Sequence, residues 1–318
     1  MLDANFKFLS LRYAFIGVEI RIMKRFLSII CLLAIAGCSH NSNRRIVVAS
    51  KNFTEQIILG ELLAQAIEAK TDLQVDRRLY LGGTFVCHQA LISGQIDAYV
   101  EYTGTALTSV LKEKPKSDPQ AVYNRVQQAY NQQYQLEWTP PLGFNNTFAM
   151  IVRSEDAKAL NIQTLSQAAK FTPKWRAAFG FEFSERPDGF PGLAKTYGIK
   201  LAQPPLVMDL GLMYQSIKQK QVDLVAGNST DGLIDSLNLV VLEDDKNYFP
   251  PYEAAPVVRQ EALAQHPELR QALQQLGGLI SEKEMRRLNY LVDGERRDVK
   301  QVVREFLRSQ GLSKNSNK

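Results

Sequence analysis

The stretch IVVASKNFTEQIILGELLAQAIEAK, at residues 46–70, decides the fold of this chain. Residues 46–49 are a short, uninterrupted and mostly β-branched run, which predicts a buried strand. A helix is predicted to begin at about Thr54, with Thr54 as its N-cap and Glu55 in its first turn. Apolar residues recur at helical spacing and predict one buried helix face: Ile58, Leu59, Leu62, Leu63, Ala66 and Ile67.

The alternation of strand and helix continues toward residue 100. Four further segments are predicted in chain order: a strand at 73–79, a turn at 82–84, a helix at 86–93 that Gly94 ends, and a strand at 96–100. A β-α-β-α-β order favours an α/β fold with a mostly parallel sheet and helices on its faces. From about residue 256 onward the pattern is helical.

An internal repeat indicates a second unit of the same design. ALISGQIDAYVEYTGT at 90–105 aligns with SIKQKQVDLVAGNSTD at 216–231, which pairs Tyr102 with Asn228. Ligands bind beyond the carboxyl ends of strands in open α/β sheets, so residues 101–105 and 227–231 are predicted to face one cleft between two lobes. Chance similarity between two short helix-turn-strand units is the alternative.

The segment KRFLSIICLLAIAGCS, at residues 24–39, has the order of a secretory signal. Two cations precede an apolar run of about ten residues, which is short for the ~30 Å of a bilayer core. The small residues before Cys38 predict cleavage there and a lipid on its thiol. Residues 1–22 do not resemble the start of such a signal, so Met23 is a second candidate start.

Composition excludes several classes of function. Five of the 38 Lys and Arg residues and two of the 33 acidic residues precede Cys38, so the remainder is nearly neutral and without a basic block. Nucleic-acid binding is therefore not expected. Of three cysteines, only Cys87 belongs to the exported body, so no disulfide is expected within it.

No sequence motif indicates catalysis, a metal or a cofactor, and the chain is not expected to be an enzyme. Cys87 and His88 are the one thiol-imidazole neighbour pair. Adjacent helical side chains point about 100° apart, which prevents a nucleophile-base hydrogen bond. The expectation is a core cysteine beside a surface histidine.

Aromatic residues and isolated cations instead follow several predicted strands. A methylated ammonium has no hydrogen-bond donor and is best held against ring faces. A carboxylate on the same small molecule would bind Lys51, Arg186 and a hydroxyl group. These residue types together favour a binding protein for a quaternary ammonium compound.

Seven segments in order give the chain its resemblance to a known family: KNFTEQIILGELLAQAIE (51–68), LGGT (81–84), SGQIDAYVEYTGTALTSVL (93–111), GFNNTFAM (143–150), FSERPDGFPGL (183–193), STDG (229–232) and FPPYEAAPVVR (249–259). The chain resembles the substrate-binding proteins of ABC importers for glycine betaine, carnitine, choline and related osmoprotectants. This resemblance implies a type II periplasmic-binding-protein fold, in which a two-strand hinge joins two α/β lobes around a ligand cleft.

The resemblance also implies a binding site. Tyr102, Phe148 and Tyr252 correspond to an aromatic box, and Asn228 stands where another aromatic is expected. Loss of that ring would remove ~0.5–2 kcal/mol of cation–π attraction, which favours a bulkier ligand than glycine betaine. The polar positions of the site are Lys51, Asn52, Thr105, Asn146 and Arg186, of which Lys51, Thr105 and Arg186 correspond to carboxylate ligands.

The resulting hypothesis is a lipid-anchored, extracytoplasmic, monomeric receptor that delivers its ligand to an ABC permease and ATPase. It would lie in the periplasm or at the outer face of the cytoplasmic membrane. The alternatives are a receptor for another solute, such as an amino acid or ergothioneine, and a ligand-sensing module. The predicted divisions are 1–37 for the upstream segment and signal peptide, 38–45 for a tether, 46–149 and 251–312 for the first lobe, 150–250 for the second, and 313–318 for a disordered tail.

Overall fold

The structure is a computed structural model that describes residues 44–313. The predicted signal peptide, the lipid site Cys38, most of the tether and residues 314–318 lie outside the described residues. Within residues 44–313, every helix falls short of the length or apolarity needed to cross a membrane.

Ten strands form two five-stranded sheets in the described part of the chain. The strands are β1 (Arg45–Lys51), β2 (Gln74–Gly82), β3 (Ala98–Tyr102), β4 (Leu136–Trp138), β5 (Phe148–Arg153), β6 (Ala177–Phe179), β7 (Leu206–Val207), β8 (Leu224–Asn228), β9 (Leu239–Leu242) and β10 (Ala254–Arg259). The first sheet has the order β2-β1-β3-β10-β4, and the second has β7-β6-β8-β5-β9. Each sheet with its helices is one lobe.

Between residues 44 and 313, fourteen α-helices accompany these strands. They are α1 (Thr54–Lys70), α2 (Thr84–Ile92), α3 (Thr103–Thr105), α4 (Pro119–Tyr134), α5 (Ser154–Leu160), α6 (Leu165–Ala168), α7 (Phe181–Glu185), α8 (Phe190–Tyr197), α9 (Leu210–Lys218), α10 (Leu233–Ser236), α11 (Gln260–Gln265), α12 (Pro267–Gln274), α13 (Glu282–Asp293) and α14 (Val299–Ser309). A π-helical turn at Ala106–Val110 continues α3, and a 3₁₀ turn spans Thr172–Lys174.

The two sheets have the same topology, as the internal repeat indicates. In the first, β3 lies parallel to β1 and antiparallel to β10; in the second, β8 lies parallel to β6 and antiparallel to β5. Both sheets are mixed, because one strand in each, β10 in the first and β5 in the second, lies antiparallel to both of its neighbours. The parallel pairs β1–β3, β6–β7 and β6–β8 agree with the predicted β-α-β order. The strand β10 lies where the pattern after residue 256 was expected to be helical.

Two aspartates hold equivalent positions in the repeat. Asp97, before β3, accepts a hydrogen bond from the backbone N–H of Val47 at 2.8 Å and one from Arg259 at 3.2 Å. Asp223, before β8, accepts from the N–H of Arg176 at 3.0 Å and from Arg153 at 2.9 Å. Each carboxylate thus connects the two strands that flank its own. Asp97 connects β1 to the end of β10, and Asp223 connects the start of β6 to the end of β5.

Hydrophobic clusters cover both faces of each sheet, and α1 lies on one face of the first. All six residues of the predicted apolar face of α1 are buried, which confirms the helix. The N-cap prediction is wrong, because Phe53 holds the cap position and the Thr54 hydroxyl donates to Asp293 at 2.6 Å. Likewise, β3 runs to Tyr102, so Glu101 and Tyr102 belong to the strand and not to the loop after it.

Candidate functional site

A cavity of about 720 Å³ lies between the lobes at the carboxyl ends of β1, β3 and β8. All nine residues of the predicted site contribute to its lining: Lys51, Asn52, Tyr102, Thr105, Asn146, Phe148, Arg186, Asn228 and Tyr252. They come from both lobes, as predicted from the repeat. The structure therefore brings the predicted residues together, while their role in binding stays a prediction.

Four rings line this cavity: Phe53, Tyr102, Phe148 and Tyr252. Phe148, the first residue of β5, meets Tyr252 nearly edge to face, with ring centroids 5.8 Å apart and planes inclined at 71°. Phe53 stacks at 6.5 Å on Tyr102, the last residue of β3. Lys51 Nζ lies 5.0 Å from the Tyr102 centroid, and Arg186 Cζ lies 5.0 Å from that of Phe148. The ring faces here already attract cations.

Glu55, in the first turn of α1, organises the polar base of the site. Its Oε1 accepts hydrogen bonds from Tyr102 Oη at 2.6 Å and Asn146 Nδ2 at 2.7 Å. Its Oε2 accepts from Thr230 Oγ1 at 2.5 Å and Asn289 Nδ2 at 3.1 Å. Burial raises the pKa of Glu55, although these four bonds favour the charged form. The carboxylate thereby fixes the Tyr102 ring and contacts both lobes.

Lys51 is buried at the end of β1 and paired within the protein. Its Nζ lies 2.5 Å from Glu101 Oε1 and donates to Thr84 Oγ1 at 2.9 Å. Tyr99 donates to the other oxygen of Glu101 at 3.0 Å. A ligand carboxylate at Lys51 would therefore share this ammonium with Glu101.

Arg186, from the FSERPDG segment, has its own partner on the same loop. Asp188 Oδ1 and Oδ2 accept from Arg186 Nε at 2.9 Å and Nη2 at 2.5 Å, and the same Nη2 lies 3.2 Å from Thr105 Oγ1. Burial disfavours the charged form of Asp188, but Arg186 and the Tyr252 hydroxyl outweigh it, so the pKa of Asp188 is lowered. The guanidinium is 4% exposed at the cavity wall.

Asn228 ends β8, as Tyr102 ends β3. Its backbone N–H donates to Asp231 Oδ2 at 2.8 Å, and its side-chain amide lies 3.4 Å from Asp231 Oδ1. Tyr214 also donates to Asp231, whose pKa burial raises to about 6. Asp231, the aspartate of the STDG segment, thus fixes the backbone position of Asn228, which forms part of the cavity wall.

Several lining residues were not singled out from the sequence. Glu182 stands between the lobes, and its side chain is 30% exposed. The lining also includes an apolar set: Phe85, Val86, Phe181, Val207, Met208 and Leu210. Phe53 lies within the family segment at 51–68, and Glu182 directly precedes the segment at 183–193. Their positions in the sequence could therefore have identified them. The apolar set carried no such signal, because exposed or half-buried hydrophobic residues near the ends of helices and strands resemble ordinary surface residues.

The Cys87-His88 pair has no catalytic arrangement. Cys87 is buried, and burial raises the pKa of its thiol to about 12, so the thiol stays protonated. The prediction of a surface histidine is wrong. His88 is also buried, with its ring edge-on to Tyr130 at 5.4 Å and Tyr134 at 4.9 Å, and burial lowers its pKa to about 4.

Known proteins share this chain's sequence and fold. Residues 44–309 match a family model described as the substrate binding domain of ABC-type glycine betaine transport systems. The carnitine transport binding protein OpuCC of Listeria monocytogenes is 35% identical over 294 residues, 92% of this chain and 94% of the relative. The ergothioneine transport permease/ergothioneine binding protein EgtU of Helicobacter pylori is 36% identical over 270 residues, 84% of this chain and 48% of the relative. A solved structure described as a glycine betaine/carnitine/choline ABC transporter superposes with a TM-score of 0.69 at 34% identity, covering 84% of this chain and 99% of that one.

Proposed function

The chain belongs to the family of substrate-binding domains of ABC-type glycine betaine transport systems, and we propose that it captures a small quaternary ammonium compound between its lobes. It is an extracytoplasmic binding component and not an enzyme. Its proposed partners are an ABC permease and ATPase, to which the loaded monomer would deliver the ligand.

The observation that carries this proposal is the meeting of Tyr102, Phe148 and Tyr252 at one cavity. A trimethylammonium group has neither an N–H to donate nor a nitrogen lone pair to accept a hydrogen bond, so ring faces are its best partners in a protein. In the described residues, Tyr252 has no cation over its ring, whereas Tyr102 and Phe148 each have one. We place the ligand's ammonium against Tyr252, with the other two rings and Asn228 completing the box.

The other end of the ligand would meet the polar lining. Lys51 and Arg186 are proposed carboxylate ligands, with Thr105 beside Arg186, although Glu101 and Asp188 already neutralise the two cations. Sharing weakens the attraction for a ligand carboxylate, so the ammonium end is expected to supply most of the affinity. Asn52 and Asn146 would hydrogen-bond to hydroxyl or carbonyl groups of the ligand.

The cavity volume supports a range of ligand sizes. About 720 Å³ is within the span of small-molecule sites and exceeds what glycine betaine alone would fill. Carnitine is therefore the first candidate ligand, since a relative of 35% identity is named for it. Ergothioneine, a betaine with an aromatic ring, is the second, favoured by the relative of 36% identity that is named for it.

Hinge closure is the proposed mechanism, because ligand contacts from both lobes stabilise the closed form over the open one. We propose the lobe divisions 46–149, 150–250 and 251–312, with β5 of the second sheet already beginning at Phe148. Two connections join the sheets, from β4 to β5 and from β9 to β10, and a bridge between Asn145 and Glu253 pairs them. Bending at these connections would open the cavity.

Attachment to a membrane through lipid on Cys38 is also proposed, from the sequence pattern at residues 24–39. Expression in a bacterial host followed by intact-mass measurement of the membrane fraction tests it. We expect a chain that begins at Cys38 and carries the added mass of a lipid. Substitution Cys38→Ala should leave an unlipidated chain, and an unmodified wild-type thiol would contradict the proposal.

A ligand panel with a matched neutral compound tests the binding function. Choline, carnitine, glycine betaine and ergothioneine are compared by thermal shift and calorimetry with 3,3-dimethyl-1-butanol, which has choline's shape without its charge. A ligand at 100 times its Kd should add about 2.7 kcal/mol to the stability of the protein. Stabilisation by the charged compounds alone supports the box. Equal stabilisation by the neutral compound, or none by any methylated ammonium, contradicts it.

A further inference from the structure

Glu182, at the start of α7 in the second lobe, reaches across the cavity to the first. Its Oε1 accepts a hydrogen bond from the backbone N–H of Thr84 at 2.5 Å, and its Oε2 accepts from the Thr84 hydroxyl at 3.2 Å. A Cβ at Gly83 would collide with Glu182 Oε1, so glycine at this position permits the approach. The carboxylate is thus bound by two donors of the opposite lobe.

Both predicted carboxylate-binding cations flank this contact. Lys51 Nζ donates to the same Thr84 hydroxyl at 2.9 Å, and Arg186 Nη1 lies 3.5 Å from Glu182 Oε2. Glu182 therefore holds its own carboxylate at the place where the carboxylate of a bound betaine is expected.

Five charged side chains contact one another here: Lys51, Glu101, Arg186, Asp188 and Glu182. Their charges do not balance, and Glu182 is the carboxylate in excess. Lys51 pairs with Glu101 and Arg186 with Asp188, each at 2.5 Å, so the two cations are already neutralised. Glu182 is the third carboxylate, and it leaves the group with one surplus negative charge. Its side chain is 30% exposed, whereas the other four are at most 4% exposed, so it is the member with room to move.

We propose that Glu182 is a specificity-determining residue, which shifts the affinity ratio toward methylammonium cations and lowers the affinity for zwitterions, the candidates carnitine and ergothioneine included. The inference rests on the proposed function and deepens it. The surplus charge attracts a cation in the neighbouring box, while a ligand carboxylate must either displace Glu182 from Thr84 or remain close to a like charge. Repulsion of the wrong ligand is a common route to specificity at charged sites.

Choline and glycine betaine are the matched probes, because they share a trimethylammonium group and differ in a hydroxyl against a carboxylate. Calorimetry on the full chain compares wild type with Glu182→Gln. We expect the variant to bind choline about fivefold more weakly and glycine betaine about fivefold more tightly, a change of about 25-fold in the affinity ratio. If Glu182→Gln binds both probes and the ratio of its affinities for choline and glycine betaine is that of wild type, the inference is overturned.

Two further variants make the result interpretable. Glu185→Gln removes a charge from the same helix at an exposed lining position and should leave the ratio within about twofold; an equal change there would overturn a specific role for Glu182. Glu182→Asp withdraws the carboxylate from Thr84 and should move the ratio in the same direction by less, which provides the test if Glu182→Gln does not fold. Wild type that binds neither probe nor any other methylated ammonium would refute the proposed function itself.

Discussion

The Tyr252 hydroxyl donates a 2.6 Å hydrogen bond to Asp188 Oδ2, although the two residues belong to different lobes. One tyrosine of the proposed box is therefore positioned by the carboxylate that also neutralises Arg186. Its ring and its hydroxyl have separable roles, since the ring faces the cavity and the hydroxyl supports the charged pair.

Substitutions at Tyr252 separate these roles. Tyr252→Phe keeps the ring face, so we expect choline affinity to fall by less than about threefold, with a stability loss of about 1.5–3 kcal/mol from the bond to a charged group. Tyr252→Leu removes the ring and should weaken choline binding about tenfold or more. Calorimetry and urea unfolding measure the two effects, and equal affinities for the two variants would remove Tyr252 from the box.

Arg186 is expected to matter for stability as well as for ligand. Arg186→Met leaves Asp188 buried without its partner, which should lower the free energy of unfolding by about 3–5 kcal/mol. The double variant Arg186→Met/Asp188→Asn removes both charges and should recover most of that loss in urea titrations. A single variant as stable as wild type would mean that the pair carries no net stability.

The double variant Arg186→Met/Asp188→Asn also measures the contribution of the guanidinium to binding, because it has no buried, unpaired carboxylate that would destabilise the fold. If Arg186 holds a ligand carboxylate, glycine betaine should lose affinity by a larger factor than choline does. Equal losses for the two ligands would instead assign Arg186 a purely structural role.

Glu55 accepts four hydrogen bonds, so its replacement tests the polar base of the site. Glu55→Gln places an amide NH₂ among donors, and we expect a loss of about 1–3 kcal/mol in the free energy of unfolding. Glu68→Gln on the same helix breaks a partly exposed pair with Arg77 and should change stability by less than about 1 kcal/mol. If both substitutions have the same effect, the four-donor arrangement is not stabilising.

Because burial lowers the pKa of His88, we expect the protein to lose stability as the pH falls below about 6.5. Its folded-state pKa of about 4 lies below the ordinary 6.5, so between these values the unfolded chain binds a proton that the native state does not. This contribution to stability is complete above about pH 6.5 and falls as the pH decreases toward 4, by roughly 3 kcal/mol. His88→Phe should remove this slope from plots of unfolding free energy against pH, and parallel plots for the two proteins would refute it.

Asp231 predicts the opposite slope in an overlapping range. Its pKa rises from 3.8 to about 6 in the folded state, so between these values the native state keeps a proton that the unfolded chain loses. Its contribution therefore decreases as the pH rises from 4 to 6 and is constant above that. Relative to wild type, Asp231→Asn should gain stability across this interval; a constant difference between the two would count against the buried, protonated form.

The sequence predicted the site's members better than it predicted their partners. Motif positions identified nine cavity residues, because the segments around them match the family pattern, even at Asn228, where the expected aromatic is missing. The neutralising carboxylates were not predicted: Glu101 is 50 residues from Lys51, and nothing local distinguishes Asp188 from Glu185 as the partner of Arg186. Pairing across such distances depends on sheet register, which a single sequence does not specify.

Errors in the fold prediction have the same origin. The strand β10 is not distinguished from the helices that follow it, because its pairing partners on both edges, β3 and β4, lie more than 100 residues earlier in the chain. His88 was expected at the surface, since nothing near it in sequence reveals that Tyr130 and Tyr134 cover it. Local periodicity of the sequence does not reveal contacts between residues that are far apart in the chain.

The matching hydrogen bonds of Asp97 and Asp223 show that the two sheets share one arrangement before the strands that lead to the cavity. The strand after each aspartate ends at Tyr102 in the first sheet and at Asn228 in the second. Ligand preference can therefore be altered at position 228 while this shared arrangement stays in place. That position is the natural starting point for redesigning this protein as a sensor for a chosen metabolite.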